Sequence, residues 1–382
     1  MDAGAIMSWL DKVTTLAMPS LSGNAASHPV SLPDVVLKYE QQDITEDIRP
    51  YLLSVNYTDY LGEQSDELQV AFEDVDGRWL HGWYPEQGDR LSLELGDQFT
   101  GMVALGSFEI AEIEYSHPPS VVTVKALATG ITRANRTLQP KAYEKTTLAD
   151  IVRTVARRLK LSVTGTVADI RIERVTQYQE RDIEFLARLA RDYGHTFKIA
   201  DQTLVFHANA ELAQSEPVAV LLPEDIKRIR LRDLIKGVPD EAVVTGYDAK
   251  TKTTRQSRRR NQPLRGQAKH APTDTLKIVA NRGESDQQLA ARADAALEDA
   301  KQNQVAGSMD LVGNAKLVAG QVVQLKGYGK LSGKYLVKQA RHDLTRRRGY
   351  TVSLEVRMVA YVPDEAPATE NDKQESSHAA GA

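Results

Sequence analysis

Two stretches from opposite halves of the chain carry the same alternation. Gly88-Asp89-Arg90-Leu91-Ser92-Leu93 runs in phase with Gly320-Gln321-Val322-Val323-Gln324-Leu325. Gly106-Ser107-Phe108-Glu109-Ile110 parallels Gly333-Lys334-Tyr335-Leu336-Val337, and Val122-Thr123-Val124 parallels Val352-Ser353-Leu354. A period of two puts one set of side chains on each face of a strand. The gaps between the matched pieces differ, as loop lengths do. Shared Gly-turn-strand wording is common to antiparallel sheets, and that is the bland explanation. The reading that organises the chain is a duplicated β unit.

The rest of each half fits it. Val35, Leu37 and Tyr39 alternate with smaller or polar neighbours, as do Leu53, Val55 and Tyr57, then Leu68, Val70 and Phe72, then Leu91, Leu93 and Leu95. Phe108 and Ile110 continue the pattern, whereas Ile113 and Tyr115 fall out of phase with them, which predicts a bulge between the two pairs. Asp76-Gly77, Gly88-Asp89 and His117-Pro118-Pro119 supply turns. Short alternating strands with such turns indicate a sandwich or a barrel. Strands return at Ala242-Val243-Val244 and from Ser308 onward.

Between the halves the period changes. Ile183, Leu186, Ala190 and Tyr193 keep helical spacing, with Phe185 and Leu189 widening the stripe. Asp182 and Glu184 occupy the first turn, where the helix dipole favours negative charge. The N-cap is poor, because Gln179 and Glu180 are not preferred there. Gly194 suits a left-handed stop. Alternation then resumes through His195-Thr196-Phe197-Lys198-Ile199, a turn at Asp201-Gln202, and Leu204-Val205-Phe206, so the stretch predicts a helix feeding a hairpin. Upstream, Thr147 and Asp150 make a capping-box-like start to an amphipathic helix through Leu148, Ile151, Val152, Val155 and Leu159. With Leu161-Ser162-Val163 that helix also has half the look of a LysM-type glycan module. Farther on, Ser285 and Gln288 form a capping box ahead of Leu289, Ala293, Ala296, Leu297 and Ala300.

The wording of the helix–hairpin stretch is specific. An acidic residue, Glu184, precedes Phe-Leu-x-Arg-Leu-Ala-x-x-Tyr-Gly over Phe185 to Gly194, and the hairpin ends Leu204-x-Phe206. This resembles the bacteriophage late control D family of tail baseplate hub proteins, and is similar to the hub part of type VI secretion spike proteins. The likeness runs from about Pro33 to Val362. It implies an α+β, mostly β fold: two similar tail-tube-like antiparallel β-barrel domains with a smaller helix–hairpin α+β domain between them. The expected division is residues 1–32 as an extension, 33–135 as the first barrel, 136–215 as the helix–hairpin (LysM-like) domain, 216–362 as the second barrel with an inserted basic loop and helix, and 363–382 as an acidic disordered tail. In the extension, Ile6, Trp9, Leu10, Val13 and Ala17 keep helical spacing ahead of a linker-like run from Pro19 to Pro33.

The resemblance implies a structural, non-enzymatic role in a virion tail tip or baseplate, assembled in the host cytoplasm. Its implied partners are a second and third copy of itself, the central spike protein, the tail tube protein, the tape-measure protein and other baseplate proteins. Three chains with two equivalent barrels each imitate six units, which joins a hexameric tube to a trimeric spike, and their lumen-facing positions are expected to be polar. The alternative is a peptidoglycan-binding or peptidoglycan-cleaving protein acting through residues 143–210.

Composition agrees. The chain has 382 residues, 41% hydrophobic and 26% charged, enough for sizeable cores. A net charge of −4 and 6% aromatics argue against a general nucleic-acid binder. No cysteine is present, so disulfides and thiolate chemistry are excluded. No apolar run approaches a membrane span. The eight histidines show no metal spacing, no HExxH or GxSxG occurs, and no catalytic, cofactor or metal residue is nominated. Gly327-Tyr328-Gly329-Lys330 lacks the ending of a phosphate loop and reads as a strand-connecting turn. Arg346-Arg347-Arg348-Gly349 reads as a hairpin turn. The stretch from Lys250 to Arg265 reads as a basic loop holding Lys252, Arg255, Arg258, Arg259, Arg260 and Arg265; a solvated interaction loop is the default reading, and a contact for DNA or an acidic partner is the functional one.

Overall fold

The computed structural model describes residues 32–364, apart from 63, 87, 98–100, 129–137, 201, 235–237, 249–250, 263, 265–273 and 282. The expectations for residues 1–31 and 365–382 therefore lie outside the described residues.

The first region contains β1 (Pro33–Tyr39), β2 (Gln42–Asp43), a short helix α1 (Thr45–Ile48), β3 (Leu52–Tyr60), β4 (Glu67–Glu73), β5 (Arg90–Asp97), β6 (Gly101–Ser116) and β7 (Val121–Ala128). The middle region runs β8 (Gln139–Thr147), α2 (Leu148–Leu159), β9 (Ser162–Thr164), β10 (Arg171–Glu180), α3 (Asp182–Asp192), β11 (His195–Ala200), β12 (Thr203–Ala208) and α4 (Asn209–Gln214). The last region holds β13 (Ala219–Leu221), β14 (Ile226–Asp233), β15 (Glu241–Asp248), β16 (Thr253–Arg260), β17 (Thr275–Val279), α5 (Asp286–Gln302), β18 (Val305–Val312), β19 (Val322–Leu325), β20 (Gly333–Thr345) and β21 (Gly349–Tyr361).

The first and last regions share one topology. Strand order is β3-β4-β7-β6-β5-β1 in the first and β14-β18-β21-β20-β19-β13 in the last. Leu91 faces Phe108 as Val323 faces Tyr335. Val70 faces Val124 as Met309 faces Leu354. The bulge expected between Phe108–Ile110 and Ile113–Tyr115 sits between Ile110 and Glu112, and its counterpart sits between Val337 and Gln339. A second shared bulge separates Leu52 from Ser54, and Ile226 from Arg228. Bulges displace a strand by one residue and re-aim everything after them. Matching bulges thus align the two units residue by residue. The outermost pair differs: β1 runs antiparallel to β5, β13 parallel to β19.

The two units do not form two separate closed barrels. Their strands belong to one 13-stranded sheet, joined where β3 pairs with β20, and among the described residues the path ends at β14 and β2 without closing. The reason is at the edges. β3 and the second half of β20 both present unpaired main-chain groups, and pairing them satisfies both. Each unit keeps its own core. One packs Leu68, Val70, Phe72, Phe108 and Val124, the other Met309, Val323, Tyr335, Leu354 and Met358.

The middle region follows its sequence signals. Thr147 Oγ1 accepts from Asp150 N at 3.1 Å and starts α2. At the weakly capped start of α3, Glu184 Oε2 accepts from Arg181 N at 3.0 Å. Gly194 takes φ +67° after α3, and a Cβ there would lie 3.1 Å from the Ala295 Cβ of α5. β11 and β12 pair as the expected hairpin, with β9 alongside in parallel. The core includes Leu148, Ile151, Phe185, Leu186, Leu189 and Phe206.

The expected basic loop is a correction. Residues Thr253–Arg260 form strand β16, paired antiparallel to β15, with β17 on the far side and α5 packed over the sheet. Thr253, Thr254 and Ser257 favour extended backbone, and the apolar strand β15 offers the ladder. The two turn readings hold: residues 346–348 turn between β20 and β21, and a short 3-10 helix, Gly329–Leu331, links β19 to β20. Asp364 accepts from Gly327 N and Gly329 N, at 2.9 and 2.7 Å.

Candidate functional site

Strand register fixes which residues share a face. From β14 to β6 the path runs β14-β18-β21-β20-β3-β4-β7-β6. One row across it reads Arg228, Asp310, Ser353, Arg341, Thr58, Glu67. Another reads Asp343, Asn56, Gln69, Lys125, Glu112. These positions are half-buried or exposed, while their alternates line the cores. The sheet thus presents one continuous polar face with charges of both signs. Neighbouring groups on it are matched: Ser353 Oγ donates to Asp310 at 2.7 Å, Arg341 lies 3.2 Å from Asp343, and Lys125 bridges Glu112 and Glu114 at 3.2 and 3.5 Å.

The joint at β3 and β20 is sealed on the core side of this face. Tyr57 faces His342 across it, and the two are 3% and 0% exposed with their rings stacked. His342 Nδ1 lies 2.8 Å from the Tyr350 hydroxyl. Burial pushes the His342 imidazole down to about 4. The same burial pushes His195, in β11, down to about 4.

A buried ion cluster ties all three regions to this joint. Lys198, on β11, reaches Asp59 of β3 in a close ion pair and lies 2.8 Å from Asp66. Asp59 Oδ2 accepts from Ala319 N of the last region at 2.9 Å, and Asp66 Oδ1 from Tyr60 N at 3.0 Å. Burial, with help from the Asp59 charge, drives the Asp66 carboxyl upward against the pull of Lys198. The two carboxylates hold Lys198 protonated in spite of its burial. The middle region is further tied to α5, where Arg292 lies 2.8 Å from both Asp192 and Glu284, and Gln288 donates to the Tyr193 hydroxyl at 3.0 Å.

The charged members of these clusters carry no signal of their burial in the sequence. Lys198 falls at the polar phase of its hairpin, and only docking of that face on β3 buries it. Asp182, placed in the first turn of α3 for its charge, is buried against Arg158 of α2, whose Nε donates to it at 2.7 Å.

The residues singled out for an acidic partner or DNA are scattered. Lys252 lies in the turn between β15 and β16 with φ +56°, and Arg265 lies outside the described residues. Arg255, Arg258, Arg259 and Arg260 lie on β16. Three of them meet carboxylates: Arg255 with Asp248, Arg258 with Glu241 at 3.6 Å, and Arg259 with Asp294 at 3.1 Å. A denser basic strip went unnoticed on β14, where Lys227, Arg228, Arg230 and Arg232 are all exposed. Its alternation with Ile229 and Leu231 was legible as a strand with a cationic outer face.

Among the described residues, no group of three His, Asp or Glu is arranged to hold a metal ion, and no helix is long and apolar enough to cross a membrane. The cavities are modest. An apolar one of about 300 Å³ lies between Trp79, Trp83, Phe72 and Leu37, and an open groove of about 530 Å³ runs beside α2 past Asp150, Arg153 and Arg157.

Comparison with known proteins gives a consistent answer. A "Probable baseplate hub protein" of Escherichia phage 186 is 29% identical over 238 residues, which cover 61% of this chain and 59% of that one. Its namesake in Escherichia phage P2 is 32% identical over 176 residues, 46% of this chain and 45% of the relative. The chain thus spans about half the length of the curated relatives it matches. Among solved structures, the 43 kDa tail protein of prophage MuSo2 from Shewanella oneidensis superposes with a TM-score of 0.64 at 14% identity, over 86% of this chain and 98% of that one. A tail protein from Neisseria meningitidis gives 0.62 at 12%, over 85% and 96%. These likenesses establish the fold. The sequence model described as phage tail baseplate hub (GPD) matches residues 103–347, more than half of the chain, which therefore belongs to that family.

Proposed function

We propose that this protein is a structural hub of a phage or phage-like tail, a homotrimer that adapts the hexameric tail tube to the trimeric central spike. The observation that carries the reading is the repeated unit: two strand sets of one order, with equivalent registers and bulges, joined edge to edge into one sheet inside each chain. Three such chains offer six similar units to the tube while keeping threefold symmetry toward the spike. Closed rings leave no edge unpaired. In this arrangement each unit acts as a tube-like barrel segment, with the middle region outside.

The continuous polar face becomes the lumen. A closed barrel of this many strands encloses an aqueous channel, and a lining of Ser, Thr, Asn and Gln with charges of both signs offers passing DNA or tape-measure protein no strong binding site. Tube, spike, tape-measure and other baseplate proteins are the partners, and the assembly forms in the host cytoplasm before it becomes the virion tail tip. The β16 arginines, largely matched by carboxylates, take no part in this proposal.

Light scattering and native mass spectrometry of the purified chain, alone and with its spike protein, test the reading. A trimer in either preparation is the expected result. A chain that stays monomeric with both spike and tube proteins present overturns it. Release of muropeptides from purified cell wall would instead establish the peptidoglycan-cleaving alternative through residues 143–210.

A further inference from the structure

The joint inside the chain has a counterpart on its outside. By the register equivalences above, β14 stands to the last unit as β3 stands to the first. Glu112–Ser116 of β6 stands to the first unit as Gln339–Asp343 of β20 stands to the last. β3 and β20 pair with each other. Among the described residues, β14 pairs only with β18, and β6 beyond Ile110 pairs only with β7. The chain therefore ends on one side with a copy of the β3 edge and on the other with a copy of the β20 edge.

Burial follows the same logic. Tyr57 and His342, sealed in the internal joint, correspond to Leu231 and Tyr115 at the outer edges. Leu231 is half-buried, and Tyr115 is 45% exposed. Charge supplies a second, independent observation. The β14 edge carries Lys227, Arg228, Arg230 and Arg232, all exposed and without an ion pair among the described residues, while the β6 edge carries exposed Glu112 and Glu114. Transferring the internal register sets Arg232 opposite Glu114, with Arg230 on the adjacent diagonal. Opposite charges at such cross-strand positions stabilise an antiparallel pair, and like charges destabilise it. Two β14 edges therefore repel each other, which disfavours a twofold dimer through β14 and favours head-to-tail closure. Pro118 and Pro119, just past β6, lack the N–H a longer ladder needs and end the strip there.

We infer that β14 of one copy adds as a strand to Glu112–Ser116 of β6 in the next copy, in the register of the internal β3·β20 joint, so that a ring is closed by three internal and three equivalent external joints. The inference rests on the trimer reading above and goes further by naming the surfaces that meet.

The absence of cysteine makes the test direct. The double variant Arg232→Cys/Glu114→Cys, oxidised after assembly, is expected to run as a covalent trimer under denaturing, non-reducing conditions, and each single variant as a monomer. Arg230→Glu/Arg232→Glu is expected to weaken trimer formation at least tenfold while keeping the far-UV spectrum of the parent. Adding Glu112→Lys/Glu114→Lys to it is expected to recover most of the loss. A trimer that neither cross-links at this pair nor responds to the charge reversals overturns the inference and leaves the adaptor reading standing. A chain that does not trimerise even with its spike protein overturns both.

Discussion

The two repeated units differ most where they do the same job. In the first, Asp74 N donates to Ser120 O at 3.0 Å. In the second, Gly313 N donates to Tyr350 O at the same distance, from the equivalent position. Side-chain volume has crossed the pair: acid and serine on one side of the duplication, glycine and tyrosine on the other. The Tyr350 ring lies so close that a Cβ on Gly313 would come within 2.1 Å of it. That ring supplies the hydroxyl beside His342 at the internal joint. At the matching place on the outer edge, Ser120 lies near an exposed Tyr115. One backbone plan thus carries a sealed joint in one place and an unpaired edge in the other, with Tyr350 and His342 packed at the first and Tyr115 left exposed at the second.

The largest effect should come from breaking the sealed side at its ion cluster. Lys198→Met leaves Asp59 and Asp66 buried together without a cation. Loss of one partner from such a site costs about 3–5 kcal/mol, so urea denaturation at neutral pH should show a loss of that size. Adding Asp59→Asn and Asp66→Asn should return part of it.

Truncating the paired aromatics sharpens the contrast. Tyr57→Ala should cost about 3–5 kcal/mol, as for other buried aromatics. Tyr115→Ala in the unassembled chain should stay within about 0.5 kcal/mol. Equal costs in the monomer would show that the two joints are not in different states.

Acidification tests the same seal through protons. His342 and His195 are held neutral by burial, at about 4, against an ordinary value of 6.5. In the unfolded chain both take up protons as pH falls through 6.5, while the folded chain does not until about 4. Folding stability from these groups is therefore full above pH 6.5 and declines toward pH 4, by on the order of 3 kcal/mol for each. His342→Gln should flatten that slope by about half, as read from denaturation midpoints at several pH values. A smaller effect comes from Gly313→Ala, where the Tyr350 ring must shift; about 1–2 kcal/mol is expected. Ser120→Ala, at the place equivalent to Tyr350, should change stability by less than about 0.5 kcal/mol.

Much of this plan was legible in the sequence. Gly88-Asp89-Arg90-Leu91 against Gly320-Gln321-Val322-Val323 gave the true register, and the phase break after Ile110 marked a real bulge, because period-two alternation reports directly on which face a residue occupies. Helix limits near Thr147, Gly194 and Ser285 were legible for the same local reason. The β3·β20 joint was not, since edge pairing is made by main-chain groups that every residue carries. Lys198 was not legible because it sits at the polar phase of its hairpin, and only docking on β3 turns that face into an interior. Asp59 and Asp66 fall in phase with Val55-Tyr57 and Leu68-Phe72, at strand ends where an acid reads as the close of the apolar series. The loop reading failed over Thr253–Arg260, where the run of arginines hides a strand whose ladder is supplied by β15.

A joint built on main-chain ladders has an evolutionary corollary. It asks its two strands for straightness, length and an open flank, and asks little of the letters along them. Substitutions can then accumulate along the sheet with the geometry unchanged, as a shared shape at 14% identity with the Shewanella tail protein illustrates. Under the proposed ring, what must change in concert is confined to the few charged positions that tell one sheet edge from the other.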